Sequence, residues 1–162
     1  HLRHNFITRG FTYPRLHALV EDGARPWNIV AFHTAHKFLL LAHSPVDYAK
    51  LGRLLGNLTS LPRAEWLARY EEGFMRALAV AASPRKHVNV LQHIVGFFKQ
   101  RLSPGEKREL GDLIKDFAHG LVPLVVPITL INHYVAKFDV SYIADQLYLS
   151  PHPKELMLRN HV

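Results

Sequence analysis

Three apolar stretches of this sequence each carry a line of polar residues at helical spacing. They are residues 32–44 (FHTAHKFLLLAHS), 88–100 (VNVLQHIVGFFKQ) and 124–137 (LVVPITLINHYVAK). Residues three, four or seven positions apart return to one face of an α-helix, so the polar residues of each stretch align. A helix that is apolar around most of its circumference is buried, and buried polar groups need hydrogen-bond partners. Each polar line is therefore expected to meet either another polar line or a ligand.

The starts and ends of helices are also visible in the sequence. Ser-Pro pairs stand at 44–45, 83–84 and 103–104; Ser caps the free N–H groups of a first helical turn, and Pro suits the position after it. Gly120 is predicted to be a left-handed cap, and Gly96 lies in the middle of a predicted helix. The predicted helices span about 3–20, 26–43, 45–57, 62–82, 84–102, 104–119 and 123–138, with a short one at 141–148.

Alternating strand patterns are missing, so we predict an all-α chain with about six or seven helices. A length of 162 residues predicts one compact domain overall. Within it, residues 1–20 are expected to form a linker-like first helix packed on a helical domain of residues 21–162.

Composition excludes several kinds of chemistry. The chain has no Cys, which removes disulfides, a thiol nucleophile and thiolate ligands for iron–sulfur clusters or zinc. No apolar run approaches the ~20 residues that span a bilayer. We therefore expect a cytoplasmic protein that does not enter the membrane. The first residue is His rather than Met, so a segment is expected to be missing upstream.

Charge is unevenly distributed along the chain. The formal net charge is +7, and no Asp or Glu occurs in residues 23–46, 73–105 and 117–138. These three spans contain all three polar lines. Such segregation of charge favours an anionic partner.

A metal or catalytic centre fits the polar lines poorly. His33 and His36 are one turn apart, but no carboxylate or Cys lies on any line, and zinc requires three or four ligands. Lys37 would also repel a bound cation. No Ser, Cys or carboxylate is spaced as an obvious partner for a catalytic His. We predict no metal site, no catalytic residue and no cofactor in this chain.

RNA fits the polar lines better than a metal ion or a catalytic centre does. Cations bind phosphates, while amides and imidazoles recognise bases and 2′-hydroxyls. The predicted phosphate-binding residues are Lys37, Arg85, Lys86, Lys99, Arg101, Lys154 and Arg159, with His152 as a weaker candidate beside the last two. The residues predicted to line a polar pocket are His33, His36, His43, Asn89, Gln92, His93, Asn132 and His133.

Several long motifs of the chain resemble a known family, the YbgA-type domain of unknown function. They are NFITRGFTYPRL, FHTAHKFLLLAHSP, NVLQHIVGFFKQRLS, GLVPLVVPITLINHY and YLSPHPKELMLRNH, and together they extend over nearly the whole sequence. The resemblance implies a domain that occurs alone or C-terminal to a Cys-rich, iron–sulfur desulfidase-like domain. Two-domain relatives are associated with removal of sulfur from 4-thiouridine in tRNA, and this domain is regarded as the part that engages the RNA.

Together, residues and resemblance predict an RNA-binding module, with tRNA as the expected RNA, that recognises substrate for a thiouridine desulfidase. Its catalytic iron–sulfur domain is expected to be separate or N-terminal to this chain. Two alternatives stay open. One is a helical domain that binds a small molecule or a metal and could be enzymatic. The other is a structural or partner-docking domain in which the polar lines satisfy one another.

Overall fold

The computed structural model describes the backbone of residues 2–150 and the side chains of residues 10–150. This described part is helical and contains no strand, which confirms the all-α fold class. Its α-helices are α1 (Leu2–Glu21), α2 (Pro26–Ala35), α3 (Lys37–His43), α4 (Pro45–Gly56), α5 (Arg63–Ala79), α6 (Pro84–Val95), α7 (Pro104–Ala118), α8 (Val125–Lys137) and α9 (Ser141–Ala144). A short 3₁₀ turn, Lys99–Arg101, lies between α6 and α7.

None of the helices within this described part is both long enough and apolar enough to cross a membrane.

The helices group into two compact units. Unit 1 ends at Ala82 and contains α1 to α5, and unit 2 begins at Ser83 and contains α6 to α9. In unit 1, α5 packs against α1, α3 and α4. Trp66, Tyr70 and Phe74 follow one another at four-residue intervals along α5 and are at most 2% exposed. This row of aromatic side chains forms the centre of the core of unit 1.

Unit 2 is built around α7, which packs against α6 and α8, while α9 packs against α8. Ser83 caps α6 by accepting a hydrogen bond from the Lys86 N–H, and Ser103 with Glu106 forms a capping box at the start of α7. Such caps satisfy N–H groups that have no partner within the helix. They fix where α6 and α7 begin, and hence which side chains of each helix share a face.

Three predicted helices are divided or end earlier than the sequence indicates, and the shortest of them, predicted over 141–148, ends at Ala144. The single helix predicted over 26–43 is divided at His36, whose ring Nδ1 donates a 2.7 Å hydrogen bond to the Phe32 carbonyl. That carbonyl also accepts from the His36 backbone N–H, so the ring competes with the helical ladder. The helix predicted over 84–102 ends at Val95, because Phe97 and Phe98 turn back onto Ile94 and Val95.

Gly96 is therefore not a mid-helix residue. It is the C-cap of α6, and a Cβ atom at this position would lie 3.1 Å from the His93 carbonyl oxygen. The crowding comes from the preceding turn of the same helix. The expectation for Gly120 is confirmed, because its φ of +73° lies in the left-handed region.

Gly120→Ala and Gly111→Ala should change stability in opposite directions. A Cβ atom would have no neighbour within 4 Å at either position, so only the backbone conformation differs. Ala at the left-handed Gly120 should lower the free energy of unfolding by about 1 kcal/mol. Ala at the helical Gly111 should raise it by up to about 1 kcal/mol. Urea unfolding of both variants measures the two effects, and shifts of the same sign would contradict this account.

Candidate functional site

The first polar line is buried inside unit 1. His33, His36 and His43 are at most 8% exposed. The Nδ1 atom of His33 lies 3.1 Å from the Tyr70 hydroxyl, and that of His43 donates to the Val80 carbonyl at 2.7 Å. These three histidines, which the sequence predicted to line a polar pocket, are therefore packed in the interior of unit 1. The Nδ1 atom of each ring has a hydrogen-bond partner within unit 1, where burial without partners would be costly.

Burial also removes the positive charge of this line. Loss of hydration lowers the pKa of His33 and of His36 from 6.5 to about 4. Both rings are therefore neutral at pH 7. In addition, the Nε2 atom of His36 is buried without a hydrogen-bond partner among the described residues. Lys37, the cation of this line, is half-buried with its Nζ atom 5.4 Å from the centre of the Phe38 ring.

The second polar line is on the surface of unit 2. The buried face of α6 carries Val90, Leu91 and Ile94. Its opposite side carries four exposed residues, which we call the α6 face: Arg85, Asn89, Gln92 and His93. Asn89 follows Arg85 by four positions, and Gln92 and His93 follow Asn89 by three and four, so these side chains project to one side of the helix. The polar line of α6 is thus accessible to a partner.

A groove of about 460 Å³ lies beside the α6 face. We call it the α6–α7 groove, and its lining residues are Gln92, Val95, Lys99, Leu102, Lys107, Leu110, Gly111 and Ile114. The α7 residues among them stand at helical offsets of three, four and seven from Lys107, so one face of α7 forms one wall. Gln92 belongs to both the α6 face and the groove.

The chemistry of the groove combines aliphatic walls with polar groups. Val95, Leu102, Leu110 and Ile114 supply the apolar surface, and Gln92 supplies an amide. Lys99 and Lys107 supply positive charge, and no carboxylate of the described residues lines the groove. Such a site can hold an apolar or flat group while binding an attached anion.

The third polar line, on α8, is partly satisfied within unit 2. Asn132 donates a 2.8 Å hydrogen bond to the Leu149 carbonyl, and Thr129 donates one to the Val125 carbonyl. Lys137 forms a 2.6 Å ion pair with Glu106, and this hydrogen bond raises the pKa of Lys137. His133 is exposed. The strongest charge of this line is therefore already paired with an acid.

The other predicted cations differ in their accessibility. Lys86 is half-buried at the start of α6. Arg101 is exposed, and its guanidinium donates a hydrogen bond to the Phe138 carbonyl. The predicted tail residues, His152, Lys154 and Arg159, lie outside the described residues. Arg85 and Lys99 are the predicted cations that the structure leaves exposed on α6 and at the groove.

Sequence reasoning missed two groups of residues in unit 2. One is the α7 wall, where the offsets of Lys107, Leu110 and Gly111 are a usable signal for a shared face. The other is an exposed aromatic pair, because Phe97 and Tyr142 stack with ring centres 5.2 Å apart and are 40% and 60% exposed. No local pattern reveals this pair, since its members come from different elements.

A resident metal ion finds no obvious ligand set. Within residues 10–150, whose side chains are described, no three His, Cys, Asp or Glu side chains cluster in a way that could hold a metal.

Comparison with known proteins places the sequence in a family. A family model described as "Protein of unknown function (DUF1722)" matches residues 37–153. The chain belongs to this DUF1722 family. The matched range includes all of α6 and α7, and hence the groove. The chain is also 30% identical over 155 residues to the "Uncharacterized protein YbgA" of Escherichia coli (strain K12), which covers 95% of this chain and 92% of that protein.

These matches confirm the resemblance to the YbgA-type domain that the long motifs indicate. No solved structure matches the DUF1722 chain.

The buried histidines predict a loss of stability in mild acid. Their folded-state pKa of about 4 lies below the ordinary 6.5, so the unfolded chain binds more protons between these values. Stability is therefore greatest above pH 6.5 and falls as the pH falls toward 4. Between about pH 7 and pH 5.5, His33 and His36 together should lower the free energy of unfolding by about 2 kcal/mol.

Urea unfolding at both pH values measures this loss. The double variant His33→Gln/His36→Gln should show a smaller pH dependence, because amides do not titrate in this range. His119→Gln is the control, since His119 is exposed. An equal pH dependence in the wild type and the double variant would exclude these two histidines as its cause.

Proposed function

We propose that this chain binds RNA through the α6 face and the α6–α7 groove, with tRNA as the class of RNA. One observation carries the proposal. Exposed cations and exposed amides lie together in unit 2, and no acidic side chain in the described part of the chain lines the groove. Arg85, Lys99 and Lys107 make no ion pair with other described residues. Their charge is therefore available to an anionic partner.

The cations would bind the RNA backbone. Phosphate contacts by Lys and Arg displace condensed counterions, which supplies most of the sequence-independent affinity of nucleic-acid complexes. Arg85 lies in the first turn of α6, and Lys99 follows the end of that helix. The two cations thus flank the exposed amides of Asn89 and Gln92.

The amides and aromatic rings would contact bases. Asn89 and Gln92 each offer a donor and an acceptor, which suits the edges of unpaired bases. Phe97, which precedes Lys99 by two residues along the chain, stacks on Tyr142 to form an exposed aromatic pair. Bases stack on exposed aromatic rings with little sequence preference. The proposed surface thus combines the three kinds of contact that single-stranded RNA uses.

We further propose that the chain delivers tRNA to an iron–sulfur desulfidase-like domain that is separate or N-terminal, in the cytoplasm, for removal of sulfur from 4-thiouridine. This part of the proposal is supported by the motif resemblance. The complete absence of Cys also supports it, because cluster-based chemistry would then need ligands from another domain. In this scheme the chain recognises substrate and carries no catalytic residue.

The α6–α7 groove also supports a second candidate function, which is small-molecule binding. Its volume of about 460 Å³ lies within the range of ligand pockets in general. Free nucleotides are the small molecules that its lysines and amide would suit best.

The salt dependence of tRNA binding tests the proposed function. Affinity should fall steeply as salt rises, because phosphate contacts release counterions. Arg85→Ala and Lys99→Ala should each weaken binding and reduce the slope of log K against log salt by about 0.7 to 0.9. Fluorescence anisotropy with labelled tRNA at several salt concentrations measures both quantities.

Arg53→Ala is the matched control, because Arg53 is an exposed arginine of α4 outside the proposed surface. It should leave the slope unchanged. No tRNA binding at low salt, or equal slopes in all variants, would refute the proposal.

A further inference from the structure

We infer that the α6–α7 groove holds one unstacked RNA base, with Lys99 and Lys107 contacting the phosphates on either side of it. This inference rests on the proposed function and deepens it, since it assigns single-stranded RNA as the substrate class of this site. Duplex RNA keeps its bases stacked and could contact only the surrounding surface.

The size and the apolar walls of the groove suit an unstacked base. Its volume of about 460 Å³ is sufficient for a base with part of its sugar. Val95, Leu102, Leu110 and Ile114 give it aliphatic walls. A base that leaves its stack loses contacts on both faces, and apolar side chains can replace these contacts.

The polar groups of the groove suit the edge of a base and its neighbouring phosphates. Gln92 lines the groove and can both donate and accept hydrogen bonds, as the edge of a base requires. Lys99 precedes Leu102 along the chain and Lys107 follows it, and both lysines line the groove. None of the described side chains that line the groove is a carboxylate that would oppose a phosphate. An aliphatic peptide side chain would fill the walls but would leave Gln92 and both lysines unused.

Gly111 leaves space in the groove because it has no side chain. It lies in the interior of α7, where glycine is a poor helix former. A Cβ atom at this position would meet no other atom within 4 Å, so packing does not explain the missing side chain. A helical glycine alone does not mark a site. Here it coincides with the groove lining, and a large side chain at 111 would occupy the space assigned to the base.

Gly111→Phe tests the assignment against Gly111→Ala. The probes are a single-stranded oligoribonucleotide, an RNA duplex of the same length and uridine monophosphate. Gly111→Phe should weaken binding of the single strand by about tenfold or more, because the ring fills the groove. Binding of the duplex should change by less than about twofold, and Gly111→Ala, which adds only a methyl group to the groove, should weaken binding of the single strand much less than Gly111→Phe does. Circular dichroism and urea unfolding establish that both variants fold.

The outcomes separate this inference from the proposed function. If the wild type binds neither the single strand nor the duplex at low salt, both fail. If RNA binds but Gly111→Phe and Gly111→Ala bind the single strand equally, the inference is overturned and the proposed function stands. If uridine monophosphate binds as tightly as the single strand, the occupant is a free nucleotide and the assignment to RNA is overturned.

A second pair of variants keeps the test valid if Gly111→Phe does not fold. Lys107→Ala should weaken binding of the single strand several-fold, and Lys107→Arg should retain most of it, because the charge remains. Arg108→Ala is the control, since Arg108 is exposed on α7 but does not line the groove. Equal effects of Lys107→Ala and Arg108→Ala would overturn the role of Lys107 in the groove.

Discussion

The free-energy cost of burying a polar group without a partner governs the arrangement of this molecule. His33, His36 and His43 can lie in the core of unit 1 because each ring has a hydrogen-bond partner there. The partners are the Tyr70 hydroxyl, the Phe32 carbonyl and the Val80 carbonyl. Among the described residues, the line on α6 meets no such set of partners, and it remains at the surface of unit 2. The accessible site is therefore on α6, although the two lines look alike as sequence.

An ion pair also removes Lys137 from the cations that are available to a ligand. Lys137 shares an acid-free stretch with its polar line, yet the fold brings Glu106 of α7 to within 2.6 Å of it. Exposed ion pairs contribute little to stability, but this one occupies the charge that the third line would offer a ligand. Lys107 is the opposite case, because its charge remains available. It lies among the acidic residues of α7 along the chain, yet it makes no ion pair with another described residue and lines the groove.

Local signals predicted much of the fold. Ser44, Ser83 and Ser103 were predicted to cap helices, and each accepts a hydrogen bond from the backbone N–H three residues later. These signals are local because a cap involves only neighbouring residues. The end of α2 at Ala35 and the end of α6 at Val95 were not predicted. They depend on a ring–carbonyl hydrogen bond and on a tight turn, and helical spacing contains neither.

The sequence by itself determined the all-α class, the helix starts that Ser44, Ser83 and Ser103 cap, the left-handed Gly120 and the alignment of Asn89, Gln92 and His93 on α6. Each of these follows from propensities and spacing within a few residues. Only the tertiary structure decided which face is buried, because the partner of His33 is 37 residues away along the chain. It alone also formed the α6–α7 groove, whose walls come from two helices and the turn between them. Spacing aligns side chains on one helix, whereas a binding site requires a second helix packed beside it.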